Sequence, residues 1–368
     1  MKLGLIVPLL LSLAATCALS ACSSSSGAPG GRNGANDAGT NDASNAPDAS
    51  DDAAATLAPA WTKSADTPKS EGRWGMPITY VPDQKRFVGF GGDTAAAVAE
   101  TWAFAPADAT WTKIADSNSP PPRNCHCAAH LPDQNALLLV GGRDDTGPLA
   151  PGAWTLDFAT NAWTAVTGAV PPGVIGCMAA YMPSVKKAFV FGGGDARAIN
   201  SDTWSYDPVA RAFTKLATPT SPPARADGHA VYDPGDGGRM LLFSGAVVEY
   251  PKGVQVDDLW AFDGTTWKAL PQAGAWPKGR RVAANAFDAV HRRWFFFGGT
   301  LDPQDLKDLW SLDATTGTWT QYADDTAPSA RGFTSAGYDP VRDSFFVFGG
   351  LQQIRFNQLK DGFELKLR

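Results

Sequence analysis

The chain has 368 residues, of which 44% are hydrophobic and 18% charged, and its formal net charge is -6 at pH 7. Because acidic and basic residues are mixed along the chain without a basic stripe, this balance excludes a nucleic-acid partner. The 13 tryptophans, 38 glycines and 28 prolines predict short aromatic strands separated by turns, with few long helices.

Residues 1–21 predict an export signal. Lys2 gives a basic start, and Leu3 to Ala18 forms an apolar segment too short for a stable membrane span. The motif Leu19-Ser20-Ala21-Cys22 resembles the bacterial lipobox, in which the cysteine is lipidated and the chain is cut just before it. We therefore predict a lipid anchor on Cys22, with ordinary secretory cleavage near Ala21 as the alternative.

Residues 22–58 predict a disordered, lipidated tether. The segment from Ser23 to Thr56 contains no Leu, Ile, Val, Met or aromatic residue and consists mainly of Ser, Gly, Ala, Asn and Asp, so it cannot bury a core. Its aspartates lack the spacing and turn glycine of a calcium loop. Together with the lipobox, this segment predicts a place in the bacterial cell envelope. By resemblance to enterobacterial lipoproteins, Ser23 after the cysteine favours the outer membrane.

A short apolar run that ends in a glycine pair is the repeating feature of residues 59–368. The second glycine of each copy stands at positions 92, 142, 193, 245, 299 and 350, so the steps are 50, 51, 52, 54 and 51 residues. In the fourth copy, Ser244 replaces the first glycine. A fixed period of this length predicts a repeat array rather than separate domains.

Each unit predicts four strands in the same order. In the first unit these run from Arg73 to Tyr80, from Phe87 to Gly91, from Glu100 to Phe104 and from Trp111 to Ile114. The aromatic residues of the third and fourth strands are expected in the core between neighbouring sheets. An acid two residues before the third-strand aromatic predicts a structural hydrogen bond to a turn, and it recurs as Glu100, Asp202, Asp258, Asp308 and Asp361.

This pattern resembles the kelch repeat. The resemblance rests on the glycine pairs, on Asp202-Thr203-Trp204-Ser205-Tyr206-Asp207, and on the spaced second tryptophan. It implies an all-β, six-bladed propeller of four-stranded blades. Because the last unit stops before a fourth strand and Ala60-Trp61-Thr62-Lys63 has no unit before it, we predict that residues 59 to 64 form the outer strand of the sixth blade beside residues 331 to 367.

Loops after the glycine pairs vary in length and composition, whereas the turns between strands one and two are short, so specificity is expected on the face with the variable loops. The most individual loop, Ala246 to Val256, contributes Glu249 and Tyr250 as ligand-binding candidates. Arginines at the start of strand one are further candidates, because they could ring the channel mouth as an anion or carbohydrate site. The alternative is that each arginine braces its own blade through neighbouring carbonyls or the repeated acid. They are Arg73, Arg123, Arg225, Arg280 and Arg331, and unit three has Val174 instead.

Three cysteines remain after Cys17 and Cys22 are set aside. In an oxidising envelope, a disulfide from Cys125 or Cys127 to Cys177 is one prediction, and three free thiols are the alternative if adjacent inner strands lie too far apart. Strand alternation separates Cys125 and Cys127 from His126 and His130, so the sequence predicts no metal site. We also expect no cofactor.

The sequence therefore predicts a monomeric, envelope-anchored lipoprotein that binds a protein or a glycan through one propeller face. A carbohydrate-active enzyme is the alternative, because bacterial sialic acid mutarotases are also exported six-bladed kelch proteins. No motif of those enzymes, of galactose oxidase or of the plant specifier proteins carries over residue by residue, and no catalytic residue is predicted.

Overall fold

The computed structural model describes residues 59–367 except 173, 196–197, 248–253, 273 and 324–325. The predicted signal, tether and Cys22 lie outside these residues. The described chain forms six four-stranded antiparallel sheets; in five of them the strands follow sequence order from the propeller axis outward, and in the sixth the first strand of the chain is outermost. Among the described residues, no helix is long and apolar enough to cross a membrane.

The strands of the first three blades follow the repeat. Blade one contains β2 to β5, which are Ile78–Val81, Arg86–Phe90, Thr101–Ala105 and Thr110–Lys113. Blade two contains β6, β7, β10 and β11, which are Cys127–Leu131, Ala136–Val140, Ala153–Asp157 and Ala162–Ala165. Its loop adds the short pair β8 and β9, Arg143–Asp144 and Gly147–Pro148. Blade three contains β12 to β15, which are Met178–Met182, Lys187–Phe191, Thr203–Asp207 and Ala212–Leu216.

The last three blades repeat the arrangement. Blade four contains β16 to β19, which are His229–Asp233, Arg239–Phe243, Leu259–Phe262 and Trp267–Leu270. Blade five contains β20, β21, β24 and β25, which are Ala284–Asp288, Arg293–Phe297, Leu309–Asp313 and Thr318–Tyr322, with the short loop pair β22 and β23 at Thr300–Leu301 and Gln304–Asp305. Blade six contains β26 to β28, which are Ser335–Asp339, Ser344–Gln352 and Asn357–Leu367.

The predicted closure of the ring is confirmed. Strand β1, Pro59–Lys63, pairs antiparallel with β28 as the outermost strand of blade six. Trp61 also takes the place of the fourth-strand tryptophan, because its ring lies 5.1 Å from that of Phe297 in blade five. The ends of the chain therefore complete one sheet, which leaves no open seam between the last blade and the first.

The core lies between neighbouring blades, and one contact recurs around the ring. A fourth-strand aromatic of one blade packs on a second-strand residue of the preceding blade. Examples are Phe90 with Trp163 at 5.1 Å, Phe191 with Trp267 at 5.0 Å, Phe243 with Trp319 at 4.8 Å and Phe348 with Trp111 at 5.1 Å between ring centroids. Such pairs contribute about 0.5–1.5 kcal/mol each beyond the area that they bury.

The glycine pairs are required where the next blade approaches. A Cβ on Gly91 would lie 2.3 Å from the carbonyl oxygen of Arg123, and a Cβ on Gly349 would lie 2.2 Å from that of Arg73. The second glycine of every pair donates its N–H to the backbone carbonyl at the arginine position of the next blade. Gly92 donates to Arg123 and, where the ring closes, Gly350 donates to Arg73. A side chain would separate the blades.

Blade four keeps the link although Ser244 replaces the first glycine. Ser244 has a left-handed backbone with φ 63°, and its Oγ accepts the N–H of Arg280 at 2.7 Å and lies within donating distance of the carbonyl oxygens of Val256 and Arg280. The hydroxyl therefore takes over the hydrogen bond that the backbone N–H of each other arginine makes with a loop carbonyl.

Two faces follow from the strand directions. The loop face carries the connections between strands two and three, and the turn face carries the short turns between strands one and two. Because β28 runs from the loop face to the turn face and Pro59 pairs with Leu367 at its end, the described chain begins at the turn face.

Candidate functional site

The five predicted arginines are the first residues to place. Their side chains are at most 1% exposed, and none lines the central channel. Each donates from Nη1 to the first carbonyl of its own glycine pair, as in Arg73 to Gly91 at 2.7 Å and Arg331 to Gly349 at 3.1 Å. A guanidinium held in this way cannot reach a ligand at the channel mouth, so the geometry supports the bracing interpretation and not the ligand-binding one.

The repeated acid is the second partner of these arginines. Arg280 forms a bidentate pair with Asp308 at 2.6 and 2.9 Å, and Arg225 and Arg331 pair in the same way with Asp258 and Asp361. The acid also accepts the indole N–H of the third-strand tryptophan, at 2.7 Å in both Trp260 and Trp310. The predicted bond from the acid to a turn is therefore wrong, because the carboxylate bonds to an arginine and an indole. We call this set the arginine clamp.

Blades two and three each contain half of a clamp. In blade two, Gly152 stands at the sequence position of the acid, and the Arg123 guanidinium lies 4.0 Å from the ring centroid of Trp154. Blade three has the acid, Asp202, without the arginine, and Asp202 pairs at 2.8 Å with the exposed Lys215. Cys127 and Cys177 form a disulfide between these same two blades, with Cα atoms 5.5 Å apart.

The first strand of each blade begins later than predicted, several residues after the arginine position. Strand β2 starts at Ile78, five residues after Arg73, because the intervening chain takes a left-handed turn at Gly75 with φ 65°. The equivalent residue of every blade is left-handed, and its N–H donates to the equivalent carbonyl of the preceding blade at 2.8 to 3.1 Å. These residues form a closed ring of six backbone hydrogen bonds, which we call the axial ring: Gly75, Cys125, Gly176, Asp227, Val282 and Phe333.

Residues next to the axial ring form a polar and aromatic centre on the loop face. Trp74 packs edge-on against Phe333 with centroids 5.2 Å apart, and the Arg281 guanidinium lies 5.8 Å from the Phe333 ring. Arg281 donates to both oxygens of Asp302 at 2.9 and 3.0 Å and reaches Asp227 at 3.4 Å. Sequence reasoning missed this centre, although the position that directly follows each arginine varies strongly from unit to unit.

Two unpartnered polar atoms lie beside that centre. The buried Oδ1 of Asn124 and Nε of Arg143 have no hydrogen-bond partner among the described residues. Asn124 is otherwise held through its Nδ2, 3.4 Å from Asp93, and through backbone bonds to Arg143. These atoms place hydrogen-bonding capacity beside the aromatic pair at the centre of the loop face.

A hairpin in blade six extends further on the loop face than its counterparts. Strands β27 and β28 have nine and eleven residues, against four or five in the other blade strands. At the tip, Ile354 is 69% and Phe356 84% exposed. Its base is fixed, because Asp305 accepts the N–H of Gln353 at 2.7 Å. The tip is therefore a supported apolar projection, and the repeat pattern did not predict it.

The histidines do not form a cluster. His126 and His229 are buried on different blades, and burial, reinforced by the Arg123 and Arg280 guanidiniums, lowers the pKa of each to about 3. His130 is half-buried beside Phe158, and His291 bonds Asp288 at 2.7 Å on the turn face. Asp288, His291 and Asp343 bring ligand atoms within 4.8 Å, but Arg293 and the Tyr338 hydroxyl already contact the two carboxylates.

Cys125 carries the one free thiol among the described residues. It occupies the axial ring in a left-handed conformation with φ 53°, so the simple strand alternation expected from Cys125 to Cys127 does not hold. Burial raises the pKa of the Cys125 thiol, which makes it a poor nucleophile. The candidates Glu249 and Tyr250 lie outside the described residues.

Comparison with family models agrees with this architecture. Residues 30–245 and 134–350 both match the KLHDC2/KLHL20/DRC7 Kelch-repeats domain. The chain belongs to the kelch-repeat family. Kelch propellers generally mediate protein interactions. Among its described residues, the loop face of this kelch propeller carries features that depart from the repeat, including the polar centre beside the axial ring and the blade-six tip.

Proposed function

We propose that this kelch protein is a lipoprotein of the bacterial envelope that binds another protein through its loop face. The observation that carries the proposal is the projecting pair Ile354 and Phe356, with the exposed Arg355 between them. Exposed aromatic and arginine side chains on a rigid support are typical of residues that dominate binding energy at protein interfaces. A complementary partner presents an apolar pocket with an acidic rim.

The support beneath the tip favours binding without a large ordering cost. Arg281 connects blade five to the base of the hairpin, because it bonds Asp302 and approaches Gln353 at 3.5 Å. Asp305 adds the bond to the Gln353 N–H. A presented side chain that is already ordered loses little conformational entropy on binding.

The described chain begins at Pro59, which lies at the turn-face end of β1 and so on the face opposite to Ile354 and Phe356. Lipidation at Cys22 is part of the proposal. Metabolic labelling with a palmitate analogue tests it: Cys22→Ser should abolish labelling, and labelling that persists would contradict the anchor.

Site-specific photo-crosslinking tests the interface. A photoreactive amino acid at position 356 should yield a discrete protein adduct in envelope preparations, whereas the same amino acid at position 209 should not. Val209 is a matched control, because it is an 85% exposed apolar residue on an outer turn. Identical adducts from both positions, or an adduct only with polysaccharide at position 356, would contradict a protein partner; the second result would favour a glycan.

Titration of the purified partner then measures the contribution of the tip. Phe356→Ser should weaken binding by at least about tenfold, which is roughly 1.4 kcal/mol. Val209→Ser should leave the affinity unchanged. Equal affinities for the two variants would remove Phe356 from the interface.

A further inference from the structure

A cavity of about 540 Å³ lies on the propeller axis. It extends from the axial ring to the turn prolines Pro132 and Pro183, where it opens on the turn face. Trp74, Arg281 and the other residues that directly precede the axial ring on the loop face do not line it. The cavity is therefore a blind channel that opens on the face opposite to the proposed protein interface. Its volume is within the range of about 300–1,000 Å³ that is usual for small-molecule sites.

The channel is lined mostly by small, uncharged side chains. Inner strands contribute small side chains such as Thr79, Ala129, Ala180, Ala230 and Ala286. Each inner strand is an edge strand of its sheet. The edge that faces the axis therefore presents unpaired backbone N–H and C=O groups to the channel. A slender ligand can therefore make apolar contacts and hydrogen bonds along the wall.

Aromatic side chains surround the open end. All six inner strands carry an aromatic residue at the same position, which is tyrosine or phenylalanine in five blades and histidine in one. They are Tyr80, His130, Tyr181, Tyr232, Phe287 and Tyr338. These rings pack mainly between the blades, because Tyr181 and Tyr338 are only 7% exposed and Tyr80 packs on Phe87, so only part of each ring borders the opening.

Asp227 is the one acidic or basic residue, apart from the histidines, among those that line the channel. It lies at the closed end, and the Oδ1 of its carboxylate would be 2.2 Å from a Cβ on Gly176, so the glycine of blade three makes room for it. Its Oδ2 accepts only a long bond of 3.4 Å from Arg281, whose guanidinium is bidentate to Asp302. Its Oδ1 accepts no hydrogen bond from the described residues, and the side chain is 17% exposed.

We propose that the channel binds a small organic cation, with its ammonium group at Asp227 and a slender apolar or aromatic body between the inner strands. The free carboxylate oxygen of Asp227 accepts the ammonium N–H at the closed end. The channel walls offer no second charge, which disfavours anions and zwitterions.

The electrostatics of the closed end agree with this assignment. Burial raises the pKa of the Asp227 carboxyl, because Arg281 only partly offsets the loss of water. Asp302 raises the pKa further, and Arg143 lowers it only in part. A bound ammonium group would therefore stabilise the ionised carboxylate.

Isothermal titration calorimetry on the folded chain tests the proposal with three compounds of similar shape that carry a positive, a neutral and a negative group. Phenethylammonium should bind at least about tenfold more tightly than 2-phenylethanol, and 3-phenylpropionate should not bind at millimolar concentration. The Asp227→Asn variant should bind phenethylammonium and 2-phenylethanol with about equal affinity. Ala230→Phe, which fills the channel without touching Asp227's charge, should abolish binding of both.

Equal affinity of wild-type protein for the cation and the alcohol would overturn the proposal, and so would the absence of any binding at millimolar concentration. Cation binding that survives Ala230→Phe would place the ligand elsewhere and would also overturn it. The charge series uses the unmodified protein, so it decides the question even if a variant does not fold. Because the channel opens on the turn face, neither result depends on the crosslinking at position 356.

Discussion

Blades two and three are joined differently from blades four, five and six. In the later blades, a buried arginine bonds the glycine-pair carbonyl and a bidentate acid, as Arg280 does with Gly298 and Asp308. Blade two has the arginine without the acid, blade three has the acid without the arginine, and the Cys127–Cys177 disulfide spans the two. The comparison indicates that a covalent bond stands where the repeated electrostatic support is incomplete.

The largest expected effect is the loss of a complete clamp. Arg280→Met keeps much of the side-chain volume but leaves the Gly298 carbonyl and the partly buried Asp308 without their cation. We expect the free energy of unfolding to fall by about 3–5 kcal/mol, measured by chemical denaturation. Arg211→Met, at an exposed position, is the control and should change stability by less than about 0.5 kcal/mol. Equal losses in the two variants would mean that the clamp does not stabilise blade five.

The disulfide should contribute nearly as much at the seam of blades two and three. It closes a sequence separation of 50 residues, so Cys127→Ser with Cys177→Ser should lower the free energy of unfolding by about 2–4 kcal/mol. Cys125→Ser should have a much smaller effect, because Cys125 carries a free thiol. If the double variant were as stable as the wild type, the disulfide would not compensate for the incomplete clamp.

Acid should weaken the clamp of blade one before it weakens the seam of blades two and three, which a disulfide spans. Burial disfavours the charged form of Glu100, but hydrogen bonds from Lys69, Trp102 and Arg73 outweigh it and lower its pKa to about 2. Because the folded pKa is below the unfolded value of about 4.3, this stabilisation is complete above about pH 5 and is lost as the pH falls toward 2.

The corresponding measurement compares wild type with Glu100→Gln across that pH range. The wild type should lose about 1 kcal/mol more than the variant, a value that allows for screening of the exposed lysine partners by solvent. Parallel pH profiles would show that Glu100 does not couple to folding.

The smallest expected effect is repair of the incomplete clamp in blade three. In the Cys127→Ser, Cys177→Ser background, Val174→Arg would place a guanidinium near Asp202 and the Gly192 carbonyl, as in the complete blades. We expect a gain of about 1 kcal/mol, because the new hydrogen bonds are partly offset by the burial of a longer side chain. Val174→Met controls for length, and a variant with arginine that is no more stable than the one with methionine would show that blade three cannot form the clamp.

The candidate site shows how far the sequence can be interpreted. The five arginines were visible as a repeated pattern, but repetition alone could not distinguish a ring of ligand-binding groups from five separate braces. Each guanidinium is buried and bonds the carbonyl at the first position of its own glycine pair, which is Ser244 for Arg225, and this geometry supports the braces. The blade-six tip was not predicted, because Ile354 and Phe356 are exposed through the length of a hairpin and not through a motif.

The sequence by itself determined the six units, the four-stranded blades and the closing role of Trp61, because period and strand alternation are local properties of the chain. Only the tertiary structure decided what meets at the axis. The axial ring joins residues about 50 positions apart whose types have nothing in common, from Gly75 to Phe333, since their backbones rather than their side chains form the bonds. A pattern of residue types cannot record such contacts, and the blind channel and its single carboxylate depend on them.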